Sequence, residues 1–192
     1  TRINKLLLKW PHATVFSTSY LAAQGYNLDL IKRYRKSGWL VSVGHGAVAK
    51  AGDKLDWTSG LYAIQHQLGL SIHAGGKTAL QLQGLSHFST SNKGYTVHLV
   101  GEPTSKLPTW FKKHDWNVKL DFTASKLFSK TATQPQALSE HQKDTYSILI
   151  SAPELAIFEV LDGVPQKQGY EEALLLMENL QTLRPKLIQT LL

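Results

Sequence analysis

Ser17-Thr18-Ser19-Tyr20-Leu21-Ala22-Ala23, then Asn27-Leu28-Asp29-Leu30-Ile31-Lys32-Arg33-Tyr34-Arg35-Lys36-Ser37-Gly38, is the stretch from which the fold can be read. Each segment opens on residues whose side-chain oxygen can accept an orphan backbone N–H, and each is followed by glycine, at Gly25 and Gly38. Two short helices joined by a tight turn are therefore expected. At 100° per residue, Leu30, Ile31 and Tyr34 share one face of the second helix. Lys32 and Lys36 fall opposite, with Arg33 and Arg35 at the margins. Such a helix packs by one side and is basic on the other, which suits docking in the major groove of DNA.

Working outward, Arg2–Trp10 has Ile3, Leu6, Leu7 and Trp10 at helical spacing, and Pro11 stops it. Thr14–Phe16 is short and β-prone. After Gly38, the segments Trp39–Val43 and Ala47–Lys50 read as two strands around Gly44-His45-Gly46. Helix, strand, helix, turn, helix, hairpin is the order of a winged helix-turn-helix. Candidate DNA contacts are Lys32, Arg33, Arg35 and Lys36 on the helix, with its cap Asn27. Ser17, Thr18 and Ser19 lie at a helix N-terminus, where phosphate can be bound, although capping alone also explains them. His45 and Lys50, with Lys54 beyond, belong to the wing.

Charge supports this placement. The chain of 192 residues carries a formal net charge of +7. Residues 1–56 hold nine Lys/Arg against three acids, residues 104–130 six against two, and residues 131–192 four against eight. A basic unit joined to something less basic fits a nucleic-acid module with a second domain. The expected division is 1–56 for the winged helix and 57–192 for a larger mixed domain, an α+β fold overall. In the second part Trp57–Leu68, Thr78–Leu85, Pro153–Leu161, Glu171–Leu183 and Lys186–Leu192 read as helices. Val97–Val100, Val118–Phe122 and Ser147–Ile150 read as strands, and 123–145 mostly as loop. Leu176, Leu180, Leu183 and Leu187 recur at helical intervals. Because the sequence ends on apolar Leu191-Leu192, a partner covering this face or a continuing domain is expected.

Several chemistries find little support. There is no cysteine, hence no disulfide, thiolate metal site or Cys nucleophile. Gly76-Lys77-Thr78 resembles the end of a phosphate loop, but Ser71 stands where its first glycine belongs. Gly84-Leu85-Ser86-His87-Phe88 echoes a nucleophile elbow with Phe88 in place of the last glycine. No His-Glu-x-x-His is present, so His66, His73, His87 and His98 read as packing or surface residues, and no metal or cofactor is expected. Asp115, Lys119 and Asp121 would share one face of a strand, which keeps a metal-dependent nuclease as an alternative. A pure protein-interaction module is a third reading. No signal peptide or membrane-spanning run is visible, and a cytoplasmic protein without membrane attachment is expected.

Three stretches together resemble the AbiEi family of antitoxins, from bacterial toxin–antitoxin systems that also act in phage defence. They are Val15-Phe16-Ser17-Thr18 through Leu28-Asp29-Leu30-Ile31 and Arg35-Lys36-Ser37-Gly38-Trp39-Leu40-Val41; Gly75-Gly76-Lys77-Thr78-Ala79-Leu80-Gln81-Leu82-Gln83-Gly84-Leu85; and Ser151-Ala152-Pro153-Glu154-Leu155-Ala156-Ile157-Phe158-Glu159-Val160-Leu161. The resemblance implies a winged helix that binds operator repeats in double-stranded DNA and represses its own operon. It further implies a C-terminal domain that counteracts a cognate nucleotidyltransferase-like toxin. Family DNA contacts match Lys32, Arg33, Arg35 and Lys36. The lysines at 106, 112, 113, 119, 126 and 130 are expected to extend the DNA footprint or to meet the toxin.

Overall fold

The computed structural model describes residues 2–86, 95–125 and 135–192. His87, Phe88, Lys126 and Lys130 lie outside them. The chain forms two compact units, one of residues 1–70, 107–117 and 142–148, the other of 71–106, 118–141 and 149–192.

The first unit takes in more than residues 1–56. It begins with α1 (Arg2–Lys9), β1 (Val15–Ser17), α2 (Thr18–Ala23), α3 (Leu28–Lys36), β2 (Leu40–Gly44) and β3 (Ala47–Lys50). The strands form an antiparallel sheet in the order β1-β3-β2, with Val15 opposite Ala49 and Leu40 opposite Lys50. This is the winged helix-turn-helix. Its core joins Leu6 and Trp10 to Phe16, Leu21, Ile31, Leu40 and Val48, with the Trp10 and Phe16 rings stacked 4.0 Å apart. Burying each such side chain stabilises by about 1.5–3 kcal/mol, so the periodic apolar positions hold the three helices on the sheet.

Helix α4 (Trp57–His66) belongs to the same unit. Asp56 caps it reciprocally with Ser59, accepting from the N–H groups of Thr58 and Ser59 while Ser59 Oγ accepts from Asp56 N–H. Burial pushes the Asp56 carboxyl up, but hydrogen bonds from Thr58 and Lys143 outweigh it and hold its pKa below the usual value. A short helix that local periodicity does not announce, α6 (Thr109–Lys113), also folds here. It places Trp110 against Gly44 and Phe111 against Gly60. A Cβ on Gly44 would come within 2.9 Å of Trp110 Cβ, and one on Gly60 within 2.6 Å of the Phe111 ring. These two glycines are small so that α6 can approach.

The second unit contains β4 (Ile72–Ala74), α5 (Gly76–Leu82), β5 (Thr96–Gly101), β6 (Lys119–Ala124), α7 (Pro153–Asp162), α8 (Tyr170–Glu178) and α9 (Pro185–Leu191). With β7 (Leu138–Gln142) and β8 (Ser147–Ser151), three of these segments form a mixed sheet in the order β6-β5-β4-β8-β7. Strand β5 runs antiparallel to β4 and parallel to β6. The class is α+β, as expected.

Three expectations for this part need correction. Residues 123–145 are not mainly loop where they are described, because β6 reaches Ala124 and a 3-10 turn at Pro135–Ala137 leads into β7. Helix α8 stops at Glu178 and not near Leu183, since Asn179 is its C-cap. Strand β6 begins at Lys119, and Asn117 has φ of +57°, so Asp115 does not share a strand face with Lys119 and Asp121. The loop-end resemblance at Gly76 also has another occupant: the Gly76 N–H donates to Glu159 Oε2 at 2.7 Å. No helix among the described residues is long and apolar enough to cross a membrane.

Candidate nucleic-acid interface

Helix α3 is built for presentation. Asn27 Oδ1 accepts the Leu30 N–H at 3.0 Å, fixing the start, and Ser37 and Gly38 N–H groups close the end on the carbonyls of Arg33 and Arg35. Ile31 is buried, and Leu30 and Tyr34 are partly so, while Lys32, Arg33, Arg35 and Lys36 are all exposed. Lys32 Nζ stands 3.6 Å from Asp29 Oδ1, with both side chains largely in solvent. A pair of that kind contributes little. Arg33, Arg35 and Lys36 have no ion-pair partner among the described residues. Three basic residues in the last turn also sit at the negative end of the helix dipole, which favours them.

Helix α2 precedes α3 in the usual helix-turn-helix arrangement. Ser17 is 2% exposed, and its Oγ accepts the Tyr20 N–H at 3.2 Å. Its backbone N–H donates to Gln67 Oε1 at 2.8 Å, so Ser17 is fully occupied as a cap. Ser19 is exposed and Thr18 partly exposed. The Thr18 N–H donates to Gly46 O at 2.8 Å, which ties the start of α2 to the wing turn.

In that turn His45 is exposed and Gly46 adopts φ of +95°. Lys50 is differently placed: its Nζ donates to the Trp10 carbonyl at 2.7 Å, so the ammonium closes the end of α1. Lys54 is exposed. The structure therefore brings the α3 residues together on one open surface, keeps His45 open, and engages Ser17 and Lys50 within the unit.

Helix α6 adds what local reasoning missed. It packs beside β2, and His114 Nδ1 lies 3.0 Å from the Val43 carbonyl oxygen. Its outer residues Lys112 and Lys113 are exposed and belong to the same compact unit as α3. The only sequence signal was the basic excess of residues 104–130. Trp39 and Val41, at the other end of β2, are 49% and 44% exposed. The carboxylates considered for metal chemistry are committed elsewhere. Asp121 accepts from Lys167 and pairs with His98, and Asp115 caps Asn117. Among the described residues no cluster of three His, Asp or Glu side chains is arranged to hold a metal ion.

Two family models match the chain. The transcriptional regulator, AbiEi antitoxin N-terminal domain, matches residues 1–90, and the transcriptional regulator, AbiEi antitoxin of Type IV toxin–antitoxin systems, matches residues 94–192. No curated protein matches. Among solved structures, the crystal structure of the RV2827C protein from Mycobacterium tuberculosis is similar, with a TM-score of 0.56 and 14% identity. The alignment covers 93% of this chain and 66% of that one, so the present chain spans just under two thirds of its length. At that identity the likeness concerns the fold. Both parts of the chain, by contrast, match models of a single regulator family: the chain belongs to the AbiEi antitoxin family of transcriptional regulators.

Proposed function

We propose that this protein is an antitoxin and autorepressor that binds operator repeats in double-stranded DNA through α3 and the wing, and counteracts a nucleotidyltransferase-like toxin through its C-terminal part. The observation that carries the DNA reading is the open face of α3, where Arg33, Arg35 and Lys36 are exposed without partners among the described residues. Side chains of this type reach phosphates, and an arginine can address guanine in bidentate fashion. Asn27 and Ser17 serve the helices; Thr18, Ser19 and His45 are positioned for backbone contacts, and Lys112 and Lys113 on α6 extend the footprint beside the wing. Lys50 contributes by holding the wing to α1. The toxin reading follows the family's character and needs no catalytic residue in this chain.

The test is reversal of Lys32, Arg33 and Lys36 to Glu, with retardation and footprinting of the DNA upstream of the gene. Affinity is expected to fall at least about 100-fold, given the several phosphate contacts removed, while the thermal transition stays in place. Unchanged retardation would remove α3 from the interface. For the second activity, co-expression with the toxin of the same operon is expected to relieve growth arrest.

A further inference from the structure

The second unit holds a cavity of about 260 Å³ that the DNA reading does not use. Its floor is one face of the parallel pair β5–β6, where His98 stands opposite Asp121 and Val100 opposite Thr123. Since alternate residues of a strand point the same way, these four side chains form a single patch. The end of α7 and residues 166–168 close over it, and Lys77 comes from α5. The volume is under the about 300 Å³ at which ligand pockets usually begin, a size that suits only a small molecule.

The polar groups of the lining are unevenly spent. Lys77 Nζ donates to Glu172 at 3.1 Å, and Lys167 Nζ to Asp121 at 3.3 Å and to Thr123 at 2.8 Å. Gln168, only 5% exposed, donates its amide N–H to Glu172 Oε2 at 2.6 Å. These donors are in use. Two acceptors are not. No donor among the described residues meets the Gln168 side-chain carbonyl oxygen or the exposed Asp162 carboxylate. His98 Nδ1 lies 3.2 Å from Asp121 Oδ2. Burial keeps the pKa of His98 below its usual value in spite of Asp121. A neutral ring donating from Nδ1 presents Nε2 as a further acceptor.

Net charge points the same way. Asp121, Asp162 and Glu159 line the cavity with Glu172 beside it, four carboxylates against Lys77 and Lys167. Asp121 and Glu172 pair with those lysines and Glu159 is held by His73, Ser151 and the Gly76 N–H, which leaves Asp162 open. An added anion would meet an excess of carboxylate. Val100 and Val160 supply aliphatic surface. We infer that this cavity binds a small organic cation, a guanidinium or ammonium group on a short aliphatic body, whose N–H donors satisfy His98, Gln168 and Asp162. A guanidinium carries five such donors in a rigid fork.

Titration of the full chain with butylguanidinium, butylamine and butyrate, followed by amide signals in NMR spectra, tests this. Saturable shifts at Val100, Asp121 and Gln168 are expected with butylguanidinium or butylamine, the comparison deciding which head group fits better. Butyrate is expected to give none. Asp162→Asn and Gln168→Leu are each expected to weaken binding about tenfold, or about 1.4 kcal/mol. Asp162 is exposed, so its variant reads the site even if Gln168→Leu perturbs folding. Absence of saturable shifts with both cations, equal binding of butyrate, or unaltered affinity in Asp162→Asn would overturn the assignment. The outcome is independent of operator binding.

Discussion

Lys36 on α3 and Lys167 beside the β5–β6 patch carry the same charge on the same flexible stem, yet their surroundings differ. Lys167 reaches Asp121 and Thr123, Lys77 reaches Glu172, and Arg184 grips the buried Glu154 through two nitrogens at 3.0 Å. On α3, Arg33, Arg35 and Lys36 have no such partner among the described residues. These three cations of the second unit are paired within the fold. Those of α3 are held outward by a helix whose other face is packed. A cation paired internally acts on stability, whereas one left open on a rigid helix has its effect when an anion arrives.

The comparison breaks if cations of the two kinds respond alike to removal. The largest stability effect is expected for Arg184→Ala. Glu154 is 1% exposed and would lose both guanidinium bonds. Breaking a buried pair costs several kcal/mol, and since the Arg184 side chain is 52% exposed we expect about 2 kcal/mol. Denaturant unfolding checks it, with operator affinity unaltered. Lys77→Met should cost less, about 0.5 kcal/mol, because its pair with Glu172 is partly solvated. Lys36→Ala should change stability by less than about 0.5 kcal/mol while weakening DNA binding. A stability loss for Lys36→Ala matching that for Arg184→Ala would erase the distinction.

Acid sharpens it further. Burial raises the pKa of Glu154, but hydrogen bonds from Arg184 outweigh this and leave it below the usual value. Glu172 is lowered in the same way, burial being outweighed by Gln168 and Lys77. A carboxylate lowered on folding stabilises above its unfolded pKa of about 4.3 and loses that contribution as pH falls through the folded value. Stability should therefore decline below about pH 4.3, and less steeply in Arg184→Ala. Thermal melts between pH 3 and 7 check the difference.

The two regions also differed in how far they could be read from sequence. Helix α3 and its hairpin were legible because their signals are local: Asn27 starts the helix, Gly38 follows its end, and Leu30, Ile31 and Tyr34 mark its inner face. Helix α6 was not, because Trp110 and Phe111 span barely one turn and owe their placement to Gly44 and Gly60, far away in sequence. From the sequence, His73 and His98 read as packing or surface residues. Their carboxylate partners, Glu159 and Asp121, lie 86 and 23 residues away, and strand register brings at least the second pair together. Strand β7, Leu-Ser-Glu-His-Gln, offers no clear alternation and exists through its pairing in the sheet. Leu180 and Leu183 continued an apparent helical repeat, but Asn179 and the approach to Pro185 end it first.

Affinity for the DNA upstream of the gene, measured against salt concentration for the wild type and for Arg33→Ala with Lys36→Ala, bears most directly on the open face of α3. Each phosphate contact contributes about 0.9 to the slope of log affinity against log salt. The account predicts a steep slope for the wild type and one shallower by about two for the double variant. Equal slopes would mean that these side chains do not meet the phosphate backbone, and the assignment of α3 as the DNA-reading element would be contradicted.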